Sequence, residues 1–90
     1  MAEPKNIVGP QVRRLRYQRG LTQDMFAAQC SVRGLELSRA TLSKIEAQVR
    51  CVVDSELLGM AKTLGVALED LFPKGSASQS TKVKKVRGLK

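Results

Sequence analysis

LELSRATLSKIE, residues Leu35–Glu46, predicts a short helix whose outer face is suited to close contact with a partner. Ser38 is a favourable N-cap, and Leu42 and Ile45 follow at the spacing of one buried helical face. A typical surface helix covers its outer face with long Glu and Lys side chains. From Ser38 onwards no acid precedes Glu46, and the outer face and its flanks carry Arg39, Ala40, Thr41, Ser43 and Lys44.

Apolar stripes at helical spacing predict four more short helices around this one. Pro suits the first turn of a helix, Thr and Asp suit the N-cap, and Gly and Pro suit the end. The fold class is therefore all-α, a compact five-helix bundle with no convincing strand. Residues of these types bound the first three of these helices, at Pro10 and Gly20, Thr22 and Gly34, and Asp54 and Gly65, whereas the last begins after Val66 and ends at Pro73.

Charge divides the chain into three parts, which we expect to be a lead-in (1–7), one folded domain (8–73) and a basic tail (74–90). The formal net charge of the 90 residues is +8, but residues 1–73 hold ten cations and eight acids. The composition of GSASQSTKVKKVRGLK predicts a flexible tail. It favours a non-specific phosphate-binding arm, with a nuclear-localisation signal and a dispensable solubility tail as alternatives. The arm would consist of Lys82, Lys84, Lys85 and Arg87.

The sequence excludes several classes of protein. Histidine is absent and only Cys30 and Cys51 could supply thiols, so we expect no metal site, no cofactor and no enzyme active site. Cys30 fits a small core residue, whereas Cys51 falls in a predicted loop where a redox role is the less favoured alternative. No secretory signal or long apolar run occurs, and no second domain offers a small-molecule site. We expect a cytoplasmic protein, nucleoid-associated if bacterial or phage.

Two helices joined by a turn, the second beginning at a serine cap, have the outline of a helix-turn-helix. In such a unit the second helix enters the DNA major groove with its N-terminal residues towards the bases. Arg39 could pair with guanine or a phosphate, or be a solvated cation. Lys44 has the same alternatives. The partner predicted from these residues is double-stranded DNA.

Three segments, RLRYQRGLTQDMFAAQC, LSRATLSKIE and ELLGMAKTLGVALEDLF, resemble the Cro/phage-repressor (XRE) helix-turn-helix family in order and spacing. The resemblance covers Ile7 to Phe72. It implies a structural ion pair between Arg16 and Glu46. It also implies base contacts by Ser38, Arg39, Ala40 and Lys44, and phosphate contacts by Thr22, Gln23, Thr41 and Ser43.

The sequence departs from the family pattern at three places. About five extra residues, close to SVRGLEL (31–37), lengthen the turn before the third helix, and they resemble a variant subgroup. This turn bears on the angle of the third helix. Gln48 stands where a glycine is common, and Val53 stands where a capping Thr or Ser is usual. These two bear on local stability.

The leading hypothesis is a sequence-specific transcriptional regulator, most plausibly a repressor, that binds an inverted repeat as a homodimer with half-sites about 34 Å apart. One alternative is an antitoxin that represses its own operon and whose tail folds on a toxin; a neighbouring toxin gene would distinguish it. Another is a helix-turn-helix reused as a protein-interaction module, against which stands the acid-free outer face with Arg39 and Lys44.

Overall fold

The computed structural model describes residues 3–73, which form four α-helices and one 3-10 turn. These are α1 (Gly9–Gln18), α2 (Gln23–Val32), α3 (Arg39–Glu46) and α4 (Asp54–Leu64). The predicted all-α class is confirmed for this part of the chain, in which no strand occurs. The predictions for the basic tail, Lys82, Lys84, Lys85 and Arg87 included, lie outside the described residues.

The predicted fifth helix is a 3-10 turn at Leu68–Leu71, so the described residues form a four-helix domain rather than a five-helix bundle. Gly65 ends α4 with a left-handed backbone, φ +73°, and Pro73 blocks helical continuation soon afterwards. This short interval accommodates one tight turn. Its first N–H, from Ala67, is satisfied by the Asp70 carboxylate at 3.1 Å.

Side-chain caps fix where α2 and α3 begin. The Thr22 hydroxyl accepts a hydrogen bond from the Met25 N–H, and the Ser38 hydroxyl accepts one from the Thr41 N–H, each at 3.1 Å. Each cap satisfies one of the N–H groups that a helix start leaves without an intrahelical partner. Both predicted caps therefore occur, and they place the starts of α2 and α3 as expected.

The start of α4 relies on a different group. Val53 occupies the N-cap and has no side-chain acceptor, and the Glu56 carboxylate accepts the Val53 N–H at 3.2 Å instead. Arg50 holds the same carboxylate through bonds of 2.9 and 3.0 Å. This ion pair lowers the pKa of Glu56, and the Val53 N–H acts in the same direction. Glu56 thus satisfies the N–H of the N-cap residue, which is a different donor from the first-turn N–H that a Thr or Ser hydroxyl would accept.

An aliphatic core joins all four helices and the 3-10 turn. Phe26 from α2, Leu42 and Ile45 from α3, and Met60 from α4 are completely buried. Phe72 is half-buried and packs against this core.

The longer turn between α2 and α3 is anchored by two leucines. Gly34 has a φ of +90°, which allows the chain to reverse at the end of α2. Leu37 is buried in the core, and Leu35 packs so closely on α4 that a Cβ added at Gly59 would lie 2.8 Å from its side chain. The extra residues are therefore part of the packed domain.

The end of the lead-in is bonded to the segment that follows α3. The Asn6 side chain accepts the N–H groups of Val8 and Gly9 and donates to the carbonyls of Ile45 and Arg50, at 2.8–3.1 Å. One amide group therefore connects the start of α1 to the end of α3 and to the loop beyond it.

Gln48 adds two bonds next to Asn6. Its carbonyl accepts the Lys5 N–H and its side-chain amide donates to the Asn6 carbonyl, each at 2.9 Å. Gln48 has a φ of +65°, a left-handed conformation that explains why glycine is common at this place in the family.

Candidate nucleic-acid interface

The outer face of α3 is open to solvent. Leu42 and Ile45 anchor the helix in the core, whereas the base-contact residues predicted from the sequence all lie outside. Thr41 is half-buried at the edge of the same face. The exposed residues are Ser38, Arg39, Ala40, Ser43 and Lys44.

Ser38 and Thr41 form a small polar unit at the start of α3. Besides capping the helix, the Ser38 hydroxyl lies 3.1 Å from the Thr41 hydroxyl and donates to it. A hydroxyl has a single proton, so Ser38 uses its donor within the protein. The Thr41 hydroxyl keeps its own proton, which suits it to donate to a phosphate oxygen.

A buried ion pair fixes α3 against α1. The Arg16 guanidinium binds the two Glu46 carboxylate oxygens at 2.7 and 2.8 Å, and its remaining group donates to the Leu21 carbonyl at 2.8 Å. Both side chains are about 5% exposed. The bond to Glu46 raises the pKa of Arg16, so the arginine is charged throughout the pH range in which the protein folds. The geometry is bidentate, which fixes orientation as well as distance.

Gln23, at the start of α2, joins the same network. Its side-chain amide donates to Glu46 Oε1 at 3.1 Å, so it connects the start of α2 to the C-terminal end of α3. An amide nitrogen has two N–H donors. Gln23 can therefore brace α3 with one donor while the other serves a phosphate, which is the contact that the family resemblance implies for it.

Asp24 is a charged neighbour of Arg39 that the sequence analysis did not include. Its carboxylate lies 3.7 Å from the Arg39 guanidinium, and both side chains are mostly exposed. The acid comes from the first turn of α2, so inspection of α3 alone could not find it. Among residues 3–73, no carboxylate oxygen lies within 4.0 Å of the Lys44 amine.

An open groove of about 880 Å³ lies between α1, the start of α2 and the outer face of α3. Thr22, Gln23, Arg39 and Ser43 line it, which brings residues predicted for phosphate and for base contact into one surface. Ala40 and Lys44 are not among its lining residues. The groove therefore joins Thr22 and Gln23 at the start of α2 to Arg39 and Ser43 on α3.

Two α1 residues on the same groove, Arg13 and Tyr17, were missed by the sequence analysis. The Tyr17 ring lies under the Arg13 guanidinium at 5.5 Å and under that of Arg16 at 4.7 Å. These two cations hold the pKa of the Tyr17 phenol below its usual value. The signal was present in RRLRYQR (13–19), which has four arginines and no acid.

Other kinds of site receive no support from the described residues. Residues 3–73 contain no group of three or more acidic or cysteine side chains placed to hold a metal ion. Burial raises the pKa of Cys30, which lies in the core, and Cys51 is exposed. None of the four helices has the length and apolar character that a membrane span requires.

Comparisons with known proteins agree with this geometry. The helix-turn-helix family model HTH_3 matches residues 12–71, more than half of the chain. The restriction-modification controller protein C.AhdI from Aeromonas hydrophila is similar, with a TM-score of 0.64 and 29% identity, over 72% of this chain and 87% of that one. The hypothetical transcription factor NHTF from Neisseria gives a TM-score of 0.66 and 27% identity, over 88% and 93%.

An HTH_3 family transcriptional regulator from Vibrio cholerae is also similar, with a TM-score of 0.64 and 27% identity. The similarity spans 74% of this chain but only 35% of that one. No curated protein sequence matches the chain.

Proposed function

Because the chain belongs to the HTH_3 family of helix-turn-helix DNA-binding transcriptional regulators, we propose that it represses transcription by binding a specific operator sequence. α3 enters the major groove, and the regulator acts in the cytoplasm on double-stranded DNA. The family consists of regulators rather than enzymes.

One observation carries this proposal: an exposed α3 face whose base-facing side chains are small or cationic, supported from behind by a buried ion pair. Arg39 and Lys44 reach outwards, while Ala40 allows the backbone to approach the DNA. An arginine can donate two parallel hydrogen bonds to guanine O6 and N7. Since Glu46 and Arg16 fix the helix, these side chains project from a rigid support.

Phosphate contacts would orient the domain on the duplex. Thr22 and Gln23 lie at the start of α2, where the helix dipole and free N–H groups favour an anion. Ser43 on α3 lines the same groove, and Thr41 is half-buried at the edge of the outer face of α3. Contacts of this kind set register and affinity, whereas sequence choice comes from base contacts by Ser38, Arg39, Ala40 and Lys44.

A homodimer is the form that an inverted-repeat operator requires, because each half-site needs one α3. Leu58 on α4 and Leu68 in the 3-10 turn are exposed apolar residues, at 47% and 43%, away from the core. They offer a surface for a second copy. A bound dimer would exclude other proteins from the same stretch of DNA, which is the simplest route to repression.

Selection of binding sites from a random duplex pool tests this function. The full-length chain is used at about 150 mM salt, where non-specific phosphate contacts are weak. Enrichment of an inverted repeat supports the proposal and reads out the half-site spacing. Retention of DNA with no enriched sequence would contradict a sequence-reading role.

The Arg39→Ala variant identifies which base pair Arg39 reads. We expect it to lose about 1–3 kcal/mol of discrimination at one position of the selected site, because the bidentate contact to guanine is gone. Binding to each single-base variant of the operator is measured by fluorescence anisotropy. As a control, Lys82→Ala in the tail should weaken binding to all DNA sequences by the same factor. A uniform loss for Arg39→Ala as well would show that Arg39 does not read bases.

A further inference from the structure

α1 contributes a positively charged surface to the groove between α1, α2 and α3. Arg13 and Tyr17 are one helical turn apart and both line the groove, together with Thr22, Gln23, Arg39 and Ser43. The start of α2 and the outer face of α3 are thus continuous with the exposed side of α1. A DNA strand that follows the groove from α2 would pass these two residues.

Arg13 is the cation of this groove whose charge is least compensated. Arg16 is paired with Glu46, and Arg39 has Asp24 nearby. Within residues 3–73, no carboxylate lies within 4.0 Å of Arg13. Stabilisation by the helix dipole does not explain an arginine at position 13, because the basic residue in the last turn of α1 is Arg16. A fixed positive charge with no internal partner is suited to an external anion.

Tyr17 adds orientation and a hydrogen-bond donor. Its ring is 60% exposed and stacks on the Arg13 guanidinium, which limits the directions in which that side chain can point. The lowered pKa of the phenol reflects the positive potential at this place. A more acidic phenol is also a stronger donor to an anionic oxygen.

We propose that Arg13 and Tyr17 form a phosphate-binding site on α1 that holds the DNA backbone next to the contacts made at the start of α2. The guanidinium pairs with a phosphate oxygen while the phenol donates a hydrogen bond to the same group. The site rests on the proposed function, because the phosphate belongs to the duplex that α3 reads. It adds affinity and orientation to that function without reading bases.

The test uses the full-length chain and its selected operator, synthesised as a series in which one phosphate at a time is a neutral methylphosphonate. Arg13→Gln is compared with Arg14→Gln, which removes the same charge from the next residue of α1. Arg14 is exposed, bonds to the Gln11 side chain at 3.0 Å and does not line the groove. Circular dichroism checks that both variants fold.

Some phosphate positions should depend on Thr22 and Gln23. For the wild type, we expect one further phosphate position per half-site at which the neutral linkage weakens binding several-fold. Arg13→Gln should bind that modified duplex as well as it binds the unmodified one. The slope of log K against log salt should fall by about 1 per half-site for Arg13→Gln. When the salt concentration is raised from about 50 to 200 mM, the fold loss of affinity per half-site should be three to four times smaller for this variant than for the wild type. In Tyr17→Phe, which keeps the ring but lacks the hydroxyl, the neutral linkage at that phosphate should still weaken binding, but by a smaller factor than in the wild type.

Equal salt slopes and equal phosphate profiles for Arg13→Gln and Arg14→Gln would overturn the site, since only overall charge would then matter. If the wild type reads its operator but Arg13→Gln keeps every phosphate dependence, the α1 site is wrong and the proposed function stands. If the wild type selects no sequence at all, both are wrong.

Discussion

At the scale of single residues, the ion pair of Arg16 and Glu46 has the strictest requirements. Two buried charges are tolerated because each satisfies the other through two short bonds, and Leu21 and Gln23 complete their hydrogen bonding. A buried pair of this kind contributes little net stability compared with apolar residues of the same size, but loss of one partner is costly. Its function is to hold α3 at one angle to α1.

Glu46→Gln should destabilise the domain by about 3–5 kcal/mol, because the Arg16 charge would stay buried without a counter-ion. The free energy of unfolding is measured by urea denaturation. The double variant Arg16→Met with Glu46→Leu, which removes both charges, should recover most of the loss. A single variant within 1 kcal/mol of the wild type would show that the pair is solvated in the native state.

Glu56 should make part of the stability depend on pH. Its folded pKa lies below the unfolded value of about 4.3, so its ion pair with Arg50 stabilises the fold above that value. This contribution is lost as the pH falls through the lowered folded pKa. It should amount to about 1 kcal/mol or less, since Arg50 is partly exposed.

The measurement compares Glu56→Gln with the wild type by urea denaturation from pH 6 to pH 3. The stability difference should be largest above about pH 5 and shrink at lower pH, because protonated Glu56 resembles glutamine. A difference that stays constant over this range would mean that Arg50 does not stabilise the carboxylate.

At the scale of helices, the start of α1 lies directly against the end of α3. A Cβ at Gly9 would overlap the Ile45 carbonyl oxygen and lie 3.0 Å from that of Glu46. The two backbones therefore meet directly at this point. Together with the Asn6 bonds, the contact sets how α3 is presented to DNA.

Gly9→Ala should cost about 2–3 kcal/mol, because backbone must move to admit the methyl group. Gly59→Ala is the matched control. Its added methyl group would lie 2.8 Å from the end of the Leu35 side chain, and that side chain can rotate. The alanine also has a higher helix propensity than glycine within α4. Its net effect should stay within about 1 kcal/mol of zero. Thermal unfolding ranks the two, and an equal loss for both would contradict the difference between rigid and flexible neighbours.

Sequence reasoning succeeds where a local rule decides the structure. Thr22 and Ser38 cap their helices through their own hydroxyl groups, and Gly65 ends α4, so these boundaries follow from neighbouring residues. Rules of this kind do not decide tertiary contacts. Helix packing decides that Leu37 and Met60 are buried in the core. It also decides that Asp24 lies near Arg39.

Whether a helix is exposed towards DNA is also a tertiary property. Arg13 and Tyr17 lie on a polar face of α1, and only the position of α3 shows that this face borders the groove. Asp54 was the expected cap of α4, but it is the first residue of the helix, and the bond from the Val53 N–H to Glu56 was not predicted. The phosphate and base contacts themselves stay predictions that the binding experiments address.

At the scale of the whole molecule, the proposed function requires two surfaces, one for DNA and one for a second copy of the chain. We expect the first to include Arg13, Arg39 and Lys44. We expect the second to include Leu58 and Leu68, which are exposed on the C-terminal elements.

Leu58→Asp should weaken the dimer without unfolding the domain, because the side chain is 47% exposed and surface changes usually alter stability by less than about 0.5 kcal/mol. Sedimentation velocity gives the oligomeric state, and gel shift gives the number of copies per operator. Val32→Asp, at an 88% exposed position on α2, is the control. A Leu58→Asp variant that dimerises like the control would exclude α4 from the interface.

The buried pair also constrains how this sequence can evolve. A lineage that replaces Arg16 or Glu46 alone passes through a protein with an uncompensated buried charge, so it loses a large part of its stability until a second change arrives. The two positions should therefore be inherited as a unit, changing together or not at all. The exposed residues of α3 carry no such linkage, which leaves operator preference free to diverge between descendants while the support beneath it stays fixed.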